Sequence, residues 1–233
     1  MPKAILGNDG CLRLPQEFLN RRGYPDDLEC WVNTRDGAII LIPQLRDLTK
    51  LYVEPTTSCN LECRTCIRHV WDTPTSAMSM EVFRSLLEQT KELPALKRVV
   101  LSGLGEPFTH PDILDMVRRV RDRGLEVTSG SNGLLLDKEK SEALVRLGVD
   151  RLVISLDGVS PETYTDVRGT EVSRILENIH GLNRAKSELG SLTPALGIEF
   201  VALKRNIQEL AQLSGLASRL GASRVLVSNV LAY

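Results

Sequence analysis

From Leu51 onward the chain alternates short apolar, β-branched runs with segments whose apolar residues recur at helical spacing. Residues 51–54, 98–102, 126–129, 151–155, 197–202 and 224–230 read as strands. Between them, 80–92 turns Val82, Phe83, Leu86 and Leu87 toward a core behind Ser79 as N-cap and stops before Pro94. Residues 111–123 begin on a proline, carry the stripe Ile113, Met116, Val117 and Val120, and meet Gly124 past their end. Helices over 138–147, 172–189 and 207–220 close on Gly148, Gly190 and Gly221, and Asn206 with Glu209 gives the last one a capping-box-like start. Five βα units and a sixth strand result. Crossover helices make the strands parallel, with right-handed connections, in a sheet that is either doubly wound or curled toward a barrel. Fewer residues follow Leu51 than the ~250 of a complete eightfold barrel, so the expected fold is α/β, an open partial (βα)6 barrel. In either topology reactive groups belong at the strand C-termini.

Residues 1–47 follow another rhythm. Apolar segments at 4–6, 11–14, 29–32 and 38–42 are separated by Asn8-Asp9-Gly10, Tyr24-Pro25-Asp26-Asp27 and Arg35-Asp36-Gly37, and one short helix is expected over 15–22. Asp-Gly between two such runs signals a hairpin, because the turn needs positive φ. The expected organisation is a small β-rich module, 1–47, followed by the barrel, 48–233.

Charge and composition remove function classes rather than add them. Twenty-nine Lys and Arg stand against thirty Asp and Glu, a net −1, so no global field favours nucleic acid. No run approaches the ~18 apolar residues of a spanning helix, and the start, Met-Pro-Lys-Ala-Ile-Leu followed by Gly-Asn-Asp-Gly, holds no signal-type apolar region. A cytoplasmic protein without a membrane partner is expected. Of five cysteines, three crowd into Cys59, Cys63 and Cys66, a grouping that suggests metal ligation in a reducing compartment rather than a disulfide framework.

Those thiols fall in Glu54-Pro-Thr-Thr-Ser-Cys59-Asn-Leu-Glu-Cys63-Arg-Thr-Cys66-Ile-Arg, directly after the first strand, in a loop at the expected catalytic mouth. Thiolates at this spacing can converge on one soft metal centre, and three ligands on a four-iron cluster leave one iron open to substrate or cofactor. Two other readings compete: a thioredoxin-type Cys63-Arg-Thr-Cys66 pair, and a structural zinc site recruiting Cys59, Cys63, Cys66 and His69. The motif CxxxCxxC after the first strand of a βα series resembles the radical S-adenosylmethionine superfamily. The resemblance implies a [4Fe-4S] cluster on Cys59, Cys63 and Cys66 whose unique iron is chelated by S-adenosyl-L-methionine, which is cleaved reductively to methionine and a 5'-deoxyadenosyl radical. One departure is Thr65, where the family usually has a large residue near the adenine, so adenine packing must come partly from elsewhere.

Companion motifs sit at the following strand ends. Ser102-Gly103-Leu104-Gly105-Glu106-Pro107 offers two glycines for close backbone approach and a carboxylate able to accept from an ammonium. It resembles the family's Gly-Gly-Glu motif, which holds the methionine amino group, on Gly103, Gly105 and Glu106. Ser129-Gly-Ser131-Asn132-Gly133 and Ser155-Leu-Asp157-Gly158 bring Asn132, Ser155 and Asp157 toward the ribose and the cofactor's carboxylate end, each also a plausible turn or cap residue. Tyr164-Thr-Asp-Val-Arg168-Gly169 resembles the segment whose arginine pairs with that carboxylate.

The run Cys66-Ile-Arg-His-Val-Trp71-Asp, with the front module, resembles radical enzymes of tungsten aldehyde oxidoreductase maturation, which implies a pterin-type cofactor or a protein precursor as substrate and an electron donor such as a ferredoxin or flavodoxin. Lys204 and Arg205 are candidate phosphate contacts or a solvated turn, and Cys11 and Cys30 provide no auxiliary cluster. The chain is expected to be a minimal enzyme or an excerpt of a longer one. The front module resembles AbrB-like swapped hairpins, which dimerise and often bind DNA. Six positive and seven negative side chains over 1–47 instead favour association, a homodimer or contact with a protein partner, and no duplex binding. The competing function is a zinc-binding scaffold or AbrB-like transcriptional regulator without catalysis.

Overall fold

A computed structural model of the chain describes residues 4–16, 30–35, 37–43, 48–70 and 74–229. The chain divides into two compact units, Met1–Arg46 and Asp47–Tyr233.

The first unit holds two antiparallel hairpins, β1 (Ile5–Leu6) with β2 (Leu12–Arg13), and β3 (Cys30–Arg35) with β4 (Ala38–Pro43). Both Asp-Gly signals correspond to hairpin turns, with Gly10 and Gly37 at φ of 76° and 78°, the left-handed region that glycine enters without steric cost. In the first turn the Asp9 carboxylate accepts from Cys11 N at 3.0 Å and from Arg13 Nη2 at 2.8 Å. Of the helix expected over 15–22, residues 17–22 lie outside the described residues.

The second unit is one parallel sheet of six strands: β5 (Lys50–Val53), β6 (Arg98–Leu101), β7 (Glu126–Ser131), β8 (Arg151–Ser155), β9 (Ala195–Ala202) and β10 (Arg224–Asn229). Spatial order follows sequence order from β5 to β10, with those two as edges. A doubly wound sheet would reverse its order at a switch point, so this sheet is the open, barrel-like alternative. Alternation along the strands fixes which face is covered: Val99, Leu101, Val127, Leu152, Ile154, Ile198 and Phe200 are fully buried, while Tyr52 on the opposite face is 68% exposed.

Helices α1 (Met80–Gln89), α2 (Ile113–Asp122), α3 (Lys138–Arg146), α4 (Pro161–Arg168), α5 (Val172–Glu188) and α6 (Leu210–Arg219) connect the strands. Ser79 Oγ accepts from Val82 N at 3.2 Å, the cap its sequence position suggests. The buried line continues through Phe83, Leu87 and Thr90, and Val82 falls beside it, 56% exposed rather than buried as expected. In α2 the stripe Ile113, Met116, Val117 and Val120 is buried as its spacing requires.

Two features depart from local reading. Helix α4 was not anticipated, although Ser160 Oγ caps Thr163 N at 3.2 Å, Pro161 opens it and Gly169 ends it at φ 71°. Asn206 and Glu209 make no capping box. Asn206 Nδ2 donates to the carbonyls of Asp157 and Val201 at 3.0 and 2.9 Å, and the Glu209 carboxylate crosses to Val159 N at 2.6 Å and Ser160 Oγ at 2.6 Å. Both side chains thus serve the loop after β8, because tertiary donors and acceptors outcompete the local pair.

Candidate active site

The cysteine loop is fixed from four sides by backbone hydrogen bonds. Thr57 N donates to Ser76 O at 2.9 Å, Met78 N to Pro55 O at 2.8 Å, Glu106 N to Ser58 O at 2.7 Å, and Arg64 N to Val167 O at 3.0 Å. Ends of β5, β6 and α4 are thereby tied to the thiol-bearing segment. Its second half tightens into a short 3-10 turn, Ile67–His69, with Cys66 N on Cys63 O at 3.0 Å.

Cys59, Cys63 and Cys66 line one cavity of about 200 Å3, together with Gly103, Gly105, Glu106, Asn132, Ser155 and Arg168. Nine of the ten residues expected at the site therefore meet in one place. Asp157 does not line it. Its carboxylate is wholly buried behind Arg168, with Oδ1 accepting from Val201 N at 2.8 Å and Oδ2 paired to Arg168 Nε at 2.7 Å. Arg168, the last residue of α4, in turn donates from Nη1 to Cys63 Sγ at 3.6 Å. Burial pushes the Cys63 thiol above its ordinary range, and the Arg168 guanidinium opposes that rise. Burial alone would favour loss of the Arg168 proton, but Asp157 and Cys63 outweigh it and hold the guanidinium charged.

Glu106 is 2% exposed, and each carboxylate oxygen already has protein donors: Ser131 Oγ at 2.9 Å and Phe108 N at 3.2 Å on Oε1, Asn132 N at 2.6 Å on Oε2. Burial raises its pKa, against the pull of those donors. It clamps the loops after β6 and β7 together at the cavity wall. Asn132 extends the clamp, its Nδ2 donating to Asn60 Oδ1 at 2.9 Å within the cysteine loop.

The two glycines also have a steric role within the chain. A Cβ on Gly105 would stand 2.1 Å from Thr56 O and 2.6 Å from Ser58 O, so only glycine lets the β6 turn lie against the cysteine loop. A Cβ on Gly103 would meet the Glu54 side chain, which accepts from Leu104 N and, at 3.3 Å, from Gly105 N. Glu54 was given no role in the sequence reading; its position at the end of the first strand, opposite a glycine turn, was the available signal. Ser102, Gly130, Glu199 and Thr65 also face the cavity.

Three soft thiols on one wall, with a guanidinium against one of their sulfurs, suit an iron–sulfur cluster lacking a fourth protein ligand. Zinc would need four donors at about 2.0–2.3 Å from one point. Among the described residues no three His, Cys, Asp or Glu side chains converge on a single ion, and His69 Nε2 is engaged with Cys63 O at 2.9 Å. Arg205 forms an exposed ion pair with Asp166, the solvated-turn alternative for that segment. Trp71 lies outside the described residues.

The chain is 34% identical over 182 residues to the tungsten-containing aldehyde ferredoxin oxidoreductase cofactor-modifying protein of Pyrococcus furiosus, covering 78% of this chain and 51% of that protein. It is 33% identical over 174 residues to the AdoMet-dependent heme synthase of Methanosarcina barkeri, covering 72% of this chain and 47% of that one. It thus spans about half the length of these curated relatives. In fold it resembles Streptococcus suis SuiB bound to S-adenosylmethionine, with a TM-score of 0.65 at 21% identity over 82% of this chain and 40% of that one. Residues 53–208, from the end of β5 to the start of the last crossover, match the family model, and the chain belongs to the radical SAM superfamily.

Proposed function

We propose that this chain is the catalytic core of a radical S-adenosylmethionine enzyme of cofactor or protein maturation, related to the tungsten oxidoreductase group. The observation that carries the reading is the meeting of Cys59, Cys63 and Cys66 with the glycine turn and Arg168 in one cavity at the strand C-termini. The family uses a [4Fe-4S] cluster and S-adenosylmethionine, and when bound these supply a reductively generated 5'-deoxyadenosyl radical that abstracts hydrogen.

The chain's own residues hold and orient. Cys59, Cys63 and Cys66 are the proposed cluster ligands. Gly103 and Gly105 shape the turn proposed to receive the methionine amino group; Glu106 holds that turn through Phe108 N and supplies negative charge beside it. Asn132 and Ser155 are assigned to the ribose side and Arg168 to the carboxylate, with Asp157 steadying Arg168 from behind. A substrate and a reductant are required; a pterin-type cofactor or protein precursor and a ferredoxin or flavodoxin are the proposed partners. A reducing, cytoplasmic setting suits the three thiolates. Among the described residues no helix is long and apolar enough to cross a membrane.

For residues 1–47 association is proposed, in keeping with the AbrB resemblance. The exposed Ile5, Leu6, Val32 and Ile39, 59–67% accessible, give the hairpins apolar surface for a second copy.

Anaerobic reconstitution tests the core reading. About four iron and four sulfide per chain, an absorbance that dithionite bleaches, and 5'-deoxyadenosine on adding S-adenosylmethionine are expected. Replacing Cys59, Cys63 and Cys66 together by Ala abolishes all three, whereas Cys11→Ala and Cys30→Ala leave them intact. Stoichiometric zinc with a featureless spectrum would refute it.

A further inference from the structure

The uncovered face of the sheet continues below the cysteine cavity. Lys50, Arg98 and Arg224, the first residues of their strands, and Arg151, the first of β8, line a second cavity of about 410 Å3. Its other end is formed by Ser102, Gly103, Gly130 and Glu199, which also line the cysteine cavity, so the two spaces adjoin. The remaining lining is Tyr52, Val100, Thr128, Val153 and Leu226, a mostly apolar stretch.

The cationic end is not balanced by the chain. Lys50 and Arg98 are direct cross-strand partners, and like charges in that position destabilise a sheet. Glu126, in register on the other side, forms an ion pair with Arg98. Arg151 and Arg224 have no carboxylate partner among the described residues, and Lys50 reaches only the Tyr52 ring, 5.6 Å from its centroid. Three positive charges thus face a cavity whose volume lies in the range of small-molecule sites.

We propose that this end of the sheet binds the phosphate group of a small-molecule substrate whose body lies along the apolar stretch and whose reacting end reaches the cysteine loop. Four residue steps separate Arg151, at the start of β8, from Ser155 in the cysteine cavity, about 13 Å at a strand's rise, which sets the scale between the anionic group and the reactive end. Guanidinium forks suit phosphate, which they can bind through two parallel hydrogen bonds. The position of the reacting end rests on the functional reading above; the anion site does not. A phosphorylated heterocycle meets the length, the charge and the apolar middle together.

The test uses the full chain with its cluster reconstituted and inorganic pyrophosphate as the probe, by calorimetric titration at low and at moderate salt. Wild type is expected to bind, more weakly as salt rises. Arg151→Gln with Arg224→Gln is expected to lose about tenfold or more in affinity, and Lys50→Ala alone part of that, with iron content and melting temperature unchanged. Absence of binding by wild type, or equal binding by the double variant, overturns the proposal. So does tighter, arginine-dependent binding of hexaglutamate than of pyrophosphate, which would give the face to an acidic protein segment. Pyrophosphate binding by a wild-type chain that takes up no iron would leave the anion site standing and sink the functional reading instead.

Discussion

The Arg168 guanidinium donates to the Cys63 sulfur, Nη1 to Sγ at 3.6 Å, and draws its fixed position from Asp157 behind it. Removing the cation by Arg168→Met leaves a fully buried carboxylate unpaired, which is expected to cost about 3 kcal/mol in anaerobic urea unfolding. Adding Asp157→Asn should recover most of that loss, since the uncompensated charge goes with it. In the reconstituted protein the same Arg168→Met change takes a donor from a ligand sulfur, so the cluster potential should move to more negative values in an EPR-monitored redox titration. An unchanged potential would confine Arg168 to binding the cofactor carboxylate, read as weaker S-adenosylmethionine affinity alone.

Gly105→Ala and Gly103→Ala should separate by severity. At Gly105 the new methyl meets two backbone carbonyls that cannot rotate away, so the β6 turn and the cysteine loop must part, a loss of about 3 kcal/mol with poor cluster uptake. At Gly103 it meets the Glu54 side chain, which can move only by giving up its hydrogen bonds from Leu104 N and Gly105 N, and a smaller loss of about 1–2 kcal/mol is expected. Thermal melts and iron content after reconstitution measure both, and equal losses would contradict the difference in partners.

Glu106→Gln is expected to weaken S-adenosylmethionine binding about tenfold or more while iron is still taken up. The amide also presents hydrogens toward the N–H groups of Phe108 or Asn132, so the melting temperature should fall as well. Equilibrium binding with the cluster in place decides; unaltered affinity would remove Glu106 from the proposed cofactor wall.

Glu209 contributes a pH dependence of its own. Burial raises its pKa, but the Ser160 hydroxyl and the Val159 N–H together outweigh burial and hold it below the ordinary carboxylate range. Because the folded state binds the proton more weakly than the unfolded chain, the stabilisation is complete above the unfolded value of about 4.3 and is lost as pH falls through the lowered folded one. Glu209→Gln should therefore cost about 2 kcal/mol at neutral pH, and the gap to wild type should close as the solution is acidified toward and below pH 4. Chemical unfolding across that range checks it, and a gap that persists would assign the loss to packing.

Residues 1–47 are expected to bind no mixed-sequence duplex DNA at low salt, because their six cations and seven anions leave no net field for phosphate, even doubled in a dimer. Comparing the full chain with one lacking residues 1–46, in filter-binding titrations, is the measurement. Micromolar binding with a steep salt slope that disappears on truncation would reverse this.

Legibility in the sequence followed the range of each interaction. The strand segments, the Ser79 cap and the α2 stripe depend on neighbours a few residues apart, and the cysteine spacing with its glycine turn was legible through its resemblance to a known family. What escaped is tertiary. Glu209 looked like the partner of Asn206, three residues away, yet reaches Ser160 across fifty residues of chain. Gly105 looked like room for a ligand, and that it also makes room for Thr56 and Ser58 could not be read locally. Asp157 has the polarity of a binding residue but its oxygens are spent on Val201 and Arg168, which no local pattern reveals. Helix α4 was missed for a different reason: eight residues are too few for periodicity to register, although Ser160, Pro161 and Gly169 marked both of its ends.

The one-sided covering of the sheet divides labour between odd and even positions of each strand. Val99, Leu101, Leu152, Ile154, Ile198 and Phe200 are fully buried and carry most of the strands' share of the folding energy, while Val153 and Glu199, next to them on the chain, are only partly buried and face the second cavity. A substitution at Val153 or Glu199 is therefore expected to change what the cavity accepts at less cost to folding than one on the covered face. Such a scaffold can be retuned toward new substrates by single-residue steps, each testable by selection, while the cysteine loop and its fastening to β5, β6 and α4 stay as they are.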